Sequence, residues 1–550
     1  MSRAGHAPAI DAPIERAHSC HESELGTSNP ATALKPTRLR SPYEAKREAR
    51  MKSLRRTCII SMTLLAVAIP VQLAAQDRTQ PQHQYHHYQI VDPGTFGGPQ
   101  SFQFYSGVAR PELLNNQGTF IGSADTLAVD PYCLDYPDCY AAHAFQWRNG
   151  ETTDLGVLPG GIGSQVNWIS ANGLMAGISD NGQQDPLNPA LPQIHAVLSE
   201  HGQMTDLGTL AGGYDSWANA VNSRGEVVGQ AYNTIPDPNS MFGYGYQSRA
   251  AYWKNGVMQD LGTLGTGTDA VAGLINERGQ VVGWSYTNSV PSPICAPTLP
   301  VTTGSFLWDR KNGMKDIGGL GGTCTLAYDL NDHGQIVGGS SLTGDTQFHP
   351  FVWEAATGVT DLLGASNGNW GNAFSISSSG VVVGVTCDPV TCYALLWRRS
   401  GGKWRRTDLS TITDRAAAFS INSSEQVVGE DVGHAFLWED GGPLVDLNTL
   451  VPPNSGLLLV EPGQINDRGE ISVTASDASG NNHVVLLIPC DEHHPGVEGC
   501  DYSLVDAATA AKSAAPRYVP SGIQHPPQSR WSNRRHMSGV QSQGEQFRAQ

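Results

Sequence analysis

Eight copies of one motif, two turn signals in each copy, and strands that are apolar on both faces together predict an all-β fold. The predicted architecture is an eight-bladed β-propeller in which the N- and C-terminal strands share the closing blade. The composition agrees: the 550 residues include 62 Gly and 34 Pro with only 15% charged side chains, which suits many turns and short strands.

The clearest copy runs Asp206-Leu207-Gly208-Thr209-Leu210, Ala218-Asn219-Ala220-Val221-Asn222, Gly225-Glu226-Val227-Val228-Gly229 and then an aromatic stretch ending at Trp253. The next runs Asp260-Leu261-Gly262-Thr263-Leu264, Ile275-Asn276, Gly279-Gln280-Val281-Val282-Gly283 and Phe306-Leu307-Trp308. The leading aspartate recurs as Asp92, Asp154, Asp206, Asp260, Asp316, Asp361, Asp408 and Asp446.

The first turn signal is Asn-x-x-Gly, as at Asn115/Gly118, Asn222/Gly225, Asn276/Gly279, Asn331/Gly334 and Asn466/Gly469. Asn closes a turn on its own backbone and Gly takes the left-handed position that returns the chain. Ser170 and Ser377 replace the Asn in two units, and Glu425 replaces the Gly in another. The second signal follows the Trp strand, as in Trp147-Arg148-Asn149-Gly150 and Trp253-Lys254-Asn255-Gly256. Two hairpins make four short strands per unit. Adjacent valines, and alternations such as His434-Ala435-Phe436-Leu437-Trp438, leave neither face polar, so each sheet must lie between neighbours. A β-solenoid is the rival architecture, but its coils are shorter and more uniform.

Closure follows from the ends of the repeat. Tyr88-Gln89-Ile90-Val91-Asp92 matches the strand that elsewhere follows the Trp strand, and His483-Val484-Val485-Leu486-Leu487-Ile488 matches the Trp strand itself. The two termini are therefore expected to pair as antiparallel neighbours in one blade, which removes two sheet edges at once.

The triplets His143-Ala144-Phe145 and His434-Ala435-Phe436, with the Asp-Leu-Gly-Thr-Leu and Asn-x-x-Gly-Gln-Val-Val-Gly runs, resemble the HAF-type extracellular repeat family of bacteria over roughly residues 88–488. Other copies relax the triplet, as in His195-Ala196-Val197, Ser305-Phe306-Leu307, His349-Pro350-Phe351 and His483-Val484-Val485. The resemblance implies secretion and a repeat fold. It implies no settled activity and supplies no catalytic residues.

Export is also expected from residues 51–76. Met51 to Arg56 is basic, Cys58 to Ile69 is apolar, Pro70 breaks the run, and Leu73-Ala74-Ala75 offers small residues for cleavage near Ala75. A membrane span is disfavoured because the apolar run is short and is interrupted by Gln72 and Asp77. The product is expected to be secreted or periplasmic. Residues 1–50 are read as a non-structural extension ahead of a natural start at Met51, 77–505 as the propeller, and 506–550 as a disordered tail rich in Ala, Ser, Gln, Pro and Arg.

Charge narrows the partners. Residues 77–505 carry 17 Lys/Arg against 43 Asp/Glu, a net of −26, which repels phosphate backbones and anionic membranes. No nucleic-acid partner is expected, and no membrane span in the mature form. A carbohydrate or protein ligand, a monomer and no cofactor are expected.

Beyond Cys20 and Cys58, eight cysteines fall in couples: Cys133/Cys139, Cys295/Cys324, Cys387/Cys392 and Cys490/Cys500. An even count in an exported chain reads as disulfides, and no couple has zinc-site spacing with companion histidines.

Catalytic candidates are sparse. The aligned aspartates would form a ring of carboxylates, but a residue demanded by every copy is expected to serve the fold by accepting backbone N–H groups at a turn. The recurrent histidines are read in the same way. Gly364-Ala365-Ser366-Asn367-Gly368 fits a nucleophile elbow without the helix it needs, and Gly265-Thr266-Gly267-Thr268-Asp269-Ala270 fits a dinucleotide pattern without a βαβ unit.

Symmetry breaks in the connection between the Val-Val-Gly strand and the Trp strand, long in units one to four and short in units five to eight. The long connections hold Tyr132, Tyr136, Tyr140, Tyr232, Phe242, Tyr244, Tyr246, Trp284 and Tyr286 among carboxylates such as Asp130, Asp135 and Asp138. Two outcomes are open: rings exposed for stacking on sugars, with Tyr132, Tyr136, Tyr140, Tyr244, Tyr246, Trp284 and Tyr286 as ligand-binding residues, or loops packed on their own rings. Closure would also bring His86 and His87 near His493 and His494, a candidate metal site or a chance meeting of polar termini. The favoured function is a non-enzymatic binding or structural module. The alternative is a polysaccharide hydrolase or lyase using carboxylates on the long-loop face.

Overall fold

The structure is a computed structural model that describes residues 83–103, 108–132, 139–296, 298–364, 370–409, 415–439 and 441–507, all within one compact unit that begins at Thr79. The fifty-residue extension, the expected signal peptide, and the tail beyond 507 lie outside the described residues.

Eight antiparallel four-stranded blades follow one another: 97–154, 164–206, 216–260, 270–316, 321–361, 370–408, 416–446 and 457–489, the last completed by Tyr88–Val91. Tyr88 pairs with Pro489 and Val91 with Leu486, so the expected closure through the two termini is formed. A second clasp lies outside it, where Gln84–His86 pairs with Leu504–Asp506. Tyr85 of that clasp is fully buried and its hydroxyl donates to the Pro443 carbonyl at 2.6 Å.

The doubly apolar strands have the consequence expected of them, because the hydrophobic clusters lie between blades. Trp253 of blade three packs with Leu174, Ala176 and Ala196 of blade two, and Phe306 and Trp308 of blade four pack with Val228 and Tyr252 of blade three. Val484 and Leu486 of blade eight pack with Phe120 and Phe145 of blade one, which closes the ring of cores. Each fully buried Leu, Val or Phe contributes roughly 1.5–3 kcal/mol.

Antiparallel order puts the Asn-x-x-Gly turns on one face, and the Asp-Leu-Gly loops with the second-to-third-strand hairpins on the other. On the first face each turn asparagine has two roles. Its carbonyl side-chain oxygen accepts N–H groups of its own turn, as Asn222 does from Glu226, while its amide donates to the next blade. Asn115 donates to Ser170 O, Asn222 to Asn276 O, Asn276 to Asn331 O, Asn331 to Ser377 O, Asn422 to Asn466 O, and Asn466 back to Asn115 O. Ser170 and Ser377 keep the first role, accepting from Leu174 and Val381, but lack the outgoing donor. At Glu425 the turn keeps the left-handed backbone of its glycine sisters, with φ 60°.

The glycine of Val-Val-Gly has a separate cause. In six of the innermost strands one residue is inserted opposite it: Asn167, Asn219, Gly273, Tyr328, Phe374 and Phe419. This bulge pushes the inner backbone outward, so that a Cβ on Gly338 would sit 2.0 Å from the Leu326 carbonyl oxygen.

Candidate functional site

The recurrent aspartates are consumed by the fold. Asp154 accepts the Gly156 N–H at 2.7 Å and His143 Nδ1 at 2.9 Å, and Asp206 does the same with Gly208 and His195. His349 pairs with Asp361, His434 with Asp446 and His483 with Asp92, while Arg249 takes the histidine's place beside Asp260. Each pair joins the third strand to the loop that leaves the fourth. Burial works against the ionised form, yet the histidine and the turn N–H hold Asp92, Asp154, Asp206 and Asp361 below the usual carboxylate range. Asp446 holds His434 above its ordinary value, and Asp92 does the same for His483.

The long connections prove to be extensions of the hairpin strands themselves, over Phe120–Val129, Met175–Gln184, Val227–Pro236 and Val281–Pro291. Alternation therefore continues into them, and two expected ligand-binding residues are corrected. Trp284 and Tyr286 are fully buried, in line with Val282, within a cluster holding Val108, Trp217 and Phe242; the Trp284 indole N–H donates to Ala327 O of blade five at 2.9 Å. Tyr244 stacks on Tyr232 at 3.7 Å between ring centroids and meets Trp217 edge-on. Tyr132, Tyr140 and Tyr246 are half-buried, and Tyr136 lies outside the described residues.

What these hairpins expose instead is aliphatic. Of nine exposed large hydrophobic side chains among the described residues, six sit at second-to-third-strand connections: Leu127, Val129, Ile235, Val290, Val390 and Val432. Repeat equivalence places all six on one face.

Two disulfides brace the same face. Cys387–Cys392 closes the blade-six hairpin, and Cys295–Cys324 ties the blade-four connection to the innermost strand of blade five. Cys490–Cys500 closes the loop after the last blade. Cys139 is disulfide-bonded, and Cys133 lies outside the described residues.

The four terminal histidines have separate surroundings. His494 is buried, with Nδ1 2.7 Å from Asp491 and Nε2 3.5 Å from Glu470, whereas the His493 side chain is 76% exposed. His87 lies 3.6 Å from Asp501, and His86 is on the outer clasp. Among the described residues no three His, Cys, Asp or Glu side chains form a metal-ligating group. Of the two decoy motifs, Gly265–Ala270 forms a loop entering the innermost strand of blade four, and residues 365–369 lie outside the described residues.

The axis holds residues that carried no signal in the repeat. The bulge residues Tyr328, Phe374 and Phe419 touch in succession at 5.8 Å between ring centroids, and Arg110 lies 4.0 Å over the Phe419 ring. Arg110 comes from an insertion in blade one without counterpart in the other copies, and Glu112 follows it at the bulge position, three residues before the turn Asn115. Val108 of that segment fills the space left by Gly273, and Arg110 reaches Glu461 at 3.4 Å. Burial and the nearby Asp329 push the Glu112 carboxyl up to about 8, although Gln464 donates to it at 2.7 Å.

No family model matches the chain, and no curated protein matches it. Among solved structures, the β-propeller domain of the trilobed protease of Pyrococcus furiosus is similar at 9% identity and a TM-score of 0.36, over 64% of this chain and 96% of that one. An ulvan lyase of a polysaccharide lyase family is similar at 10% identity and a TM-score of 0.35, over 74% and 96%. The acylaminoacyl peptidase of Pyrococcus horikoshii is similar at 10% identity and a TM-score of 0.36, over 68% of this chain and only 58% of that one. At these values the likenesses carry nothing about activity, and the propeller rests on the eight sheets themselves.

Proposed function

We propose that the protein is an exported, non-enzymatic binding module that docks a protein partner on the face carrying the hairpin tips. The observation behind this is the gathering of Leu127, Val129, Ile235, Val290, Val390 and Val432 on that face. Single exposed aliphatic residues are ordinary, but six on one side of a symmetric scaffold mark a surface that gains about 25 cal/mol per Å² when covered. Sugar recognition would favour aromatic faces turned outward, and Trp284 and Tyr286 are turned inward. That favours protein over carbohydrate as the ligand. Support for a role without catalysis comes from the recurrent carboxylates, which are engaged by histidines and turn N–H groups. The disulfides, three of them between described residues, fit an oxidising compartment.

A photo-crosslinking residue at position 235 should capture one discrete protein from the native extracellular mixture. Leu127→Asp/Ile235→Asp/Val290→Asp should abolish capture without changing the melting temperature. Saturable glycan-array binding by residues 77–505 that Leu127→Asp/Ile235→Asp/Val290→Asp abolishes, or turnover of a polysaccharide, would overturn the proposal in favour of the carbohydrate-directed alternative.

A further inference from the structure

Seven of the eight outermost strands are uniform in one respect: they contain a single cation between them, Lys315. Blade six departs from this. Its outermost strand Lys403–Asp408 has six residues against four in each of blades one to five, and it reads Lys-Trp-Arg-Arg-Thr-Asp. With Arg398 and Arg399 across the hairpin, nine consecutive residues hold five of the 17 cations found in 77–505, and no acid.

Register shows how little of this charge is neutralised. Arg405 lies directly opposite Arg398, Trp404 opposite Arg399 and Arg406 opposite Trp397. Arg398 is held by Glu425 and Arg399 by Glu354 at 2.9 Å. Lys403, Arg405 and Arg406 are exposed, and their side chains enter no ion pair or hydrogen bond among the described residues. Two like charges facing each other across a hairpin are unfavourable. Lys403 and Arg405 project to the same side, about 6.7 Å apart, beside an edge whose N–H and C=O groups have no strand partner. Half-buried Trp404 packs on the blade-six core with Leu363 and Tyr393, which fixes the strand beneath its cations.

Edge protection alone does not account for this. Charged side chains on an edge strand do prevent edge-to-edge pairing, but the sister edges manage with an aspartate and at most one cation. We infer that the outer strand of blade six is a docking strand for an acidic polysaccharide, separate from the hairpin-tip surface. Such a chain offers spaced carboxylates for the three free cations and hydroxyls for the open backbone edge. Nucleic acid fits less well: its charge density of one per about 1.7 Å meets only three free cations on a body of net −26. An anionic membrane meets the same repulsion over a larger area.

The test uses the full exported chain and immobilised polygalacturonate. Lys403→Gln/Arg405→Gln/Arg406→Gln should weaken binding at least about tenfold and lower the slope of log K against log salt by about two to three. Arg148→Gln/Lys311→Gln/Lys315→Gln, with equal charge loss on other blades, should stay within about twofold of the wild type, and Lys403→Arg/Arg405→Lys/Arg406→Lys should retain binding. Melting curves identify any variant that fails to fold, and the charge-conserving variant then carries the comparison. Absence of wild-type binding at low salt, equal loss in the control variant, or tighter binding to DNA than to the polyuronate overturns the inference.

Discussion

The side-chain amide of Asn466 in blade eight donates to the carbonyl oxygen of Asn115 in blade one, 3.0 Å away. The last blade thus meets the first through the same contact that joins most neighbours around the ring, and this suggests a paired test. Asn466→Ala should cost about 1–3 kcal/mol in urea unfolding, because buried turn N–H groups lose their acceptor as well. Ser377→Asn should add the donor that its seam lacks and stabilise by about 0.5–1.5 kcal/mol. A Ser377→Asn variant no more stable than the parent would show that the seam is already satisfied.

Gly338→Ala should destabilise by about 1–3 kcal/mol or more, because the bulged inner strand leaves no room for a methyl group beside the Leu326 carbonyl. Gly344→Ala serves as a comparison. Gly344, unlike Gly338, has positive φ, and it has open space around it, so its cost comes from backbone strain alone. If the two substitutions had equal effects on the melting temperature, close approach would not be the reason for the repeated glycine.

Much of the fold is legible in the sequence because each copy of the motif states a backbone requirement: an Asx turn, a left-handed return, a strand dry on both sides. Even the closing strand can be read, since Tyr88–Val91 has the pattern of a fourth strand. The site is less legible. Trp284 looks like a loop residue when strand length is judged from the motif, yet Val282, Trp284 and Tyr286 keep the two-residue alternation of a strand that simply continues. Tyr328, Phe374 and Phe419 stand at one repeat position, three residues before the turn Asn or Ser, and could have been found as a column. Glu112 stands in the same column, three residues before Asn115, whereas Arg110 could not be found in this way because it lies in an insertion without counterpart in the other copies.

Loss of the Cys295–Cys324 bridge should affect more than one loop, because it links blades four and five across 29 residues of chain. Cys295→Ala/Cys324→Ala should lower stability by about 2–4 kcal/mol. Cys387→Ala/Cys392→Ala removes a bridge with a sequence separation of only 5 and should cost less. Thermal unfolding of the two double variants under identical oxidising conditions checks the order.

Stability should fall as the pH rises from 6 to 8, for two separable reasons. Glu112 stays protonated in the folded chain up to about 8, whereas in the unfolded chain it ionises near its ordinary value. The folded state therefore holds the extra proton, and stability declines across that interval. The raised values of His434 and His483 contribute stability that is complete below about 6.5 and is lost as the pH climbs through their folded values. Glu112→Gln should match the parent near pH 4.5 and exceed it at pH 8. His434→Gln/His483→Gln in that background should reduce what slope remains, the rest coming from groups such as Asp269, which burial pushes up to about 7. A pH-independent difference between Glu112→Gln and the parent would contradict the shift.

The chain enters on the outermost strand of the blade that it completes last, so the repeat in sequence and the blade in space run one strand out of step. Every Asp-Leu-Gly junction is consequently a seam at which one blade has just finished and the next is about to start. Excising or duplicating one period between Asp92 and Asp446 would leave each remaining strand with a partner and both terminal clasps intact. Copy number can then drift during evolution without a new way of sealing the ring having to arise, and circumference becomes a heritable variable independent of the lock.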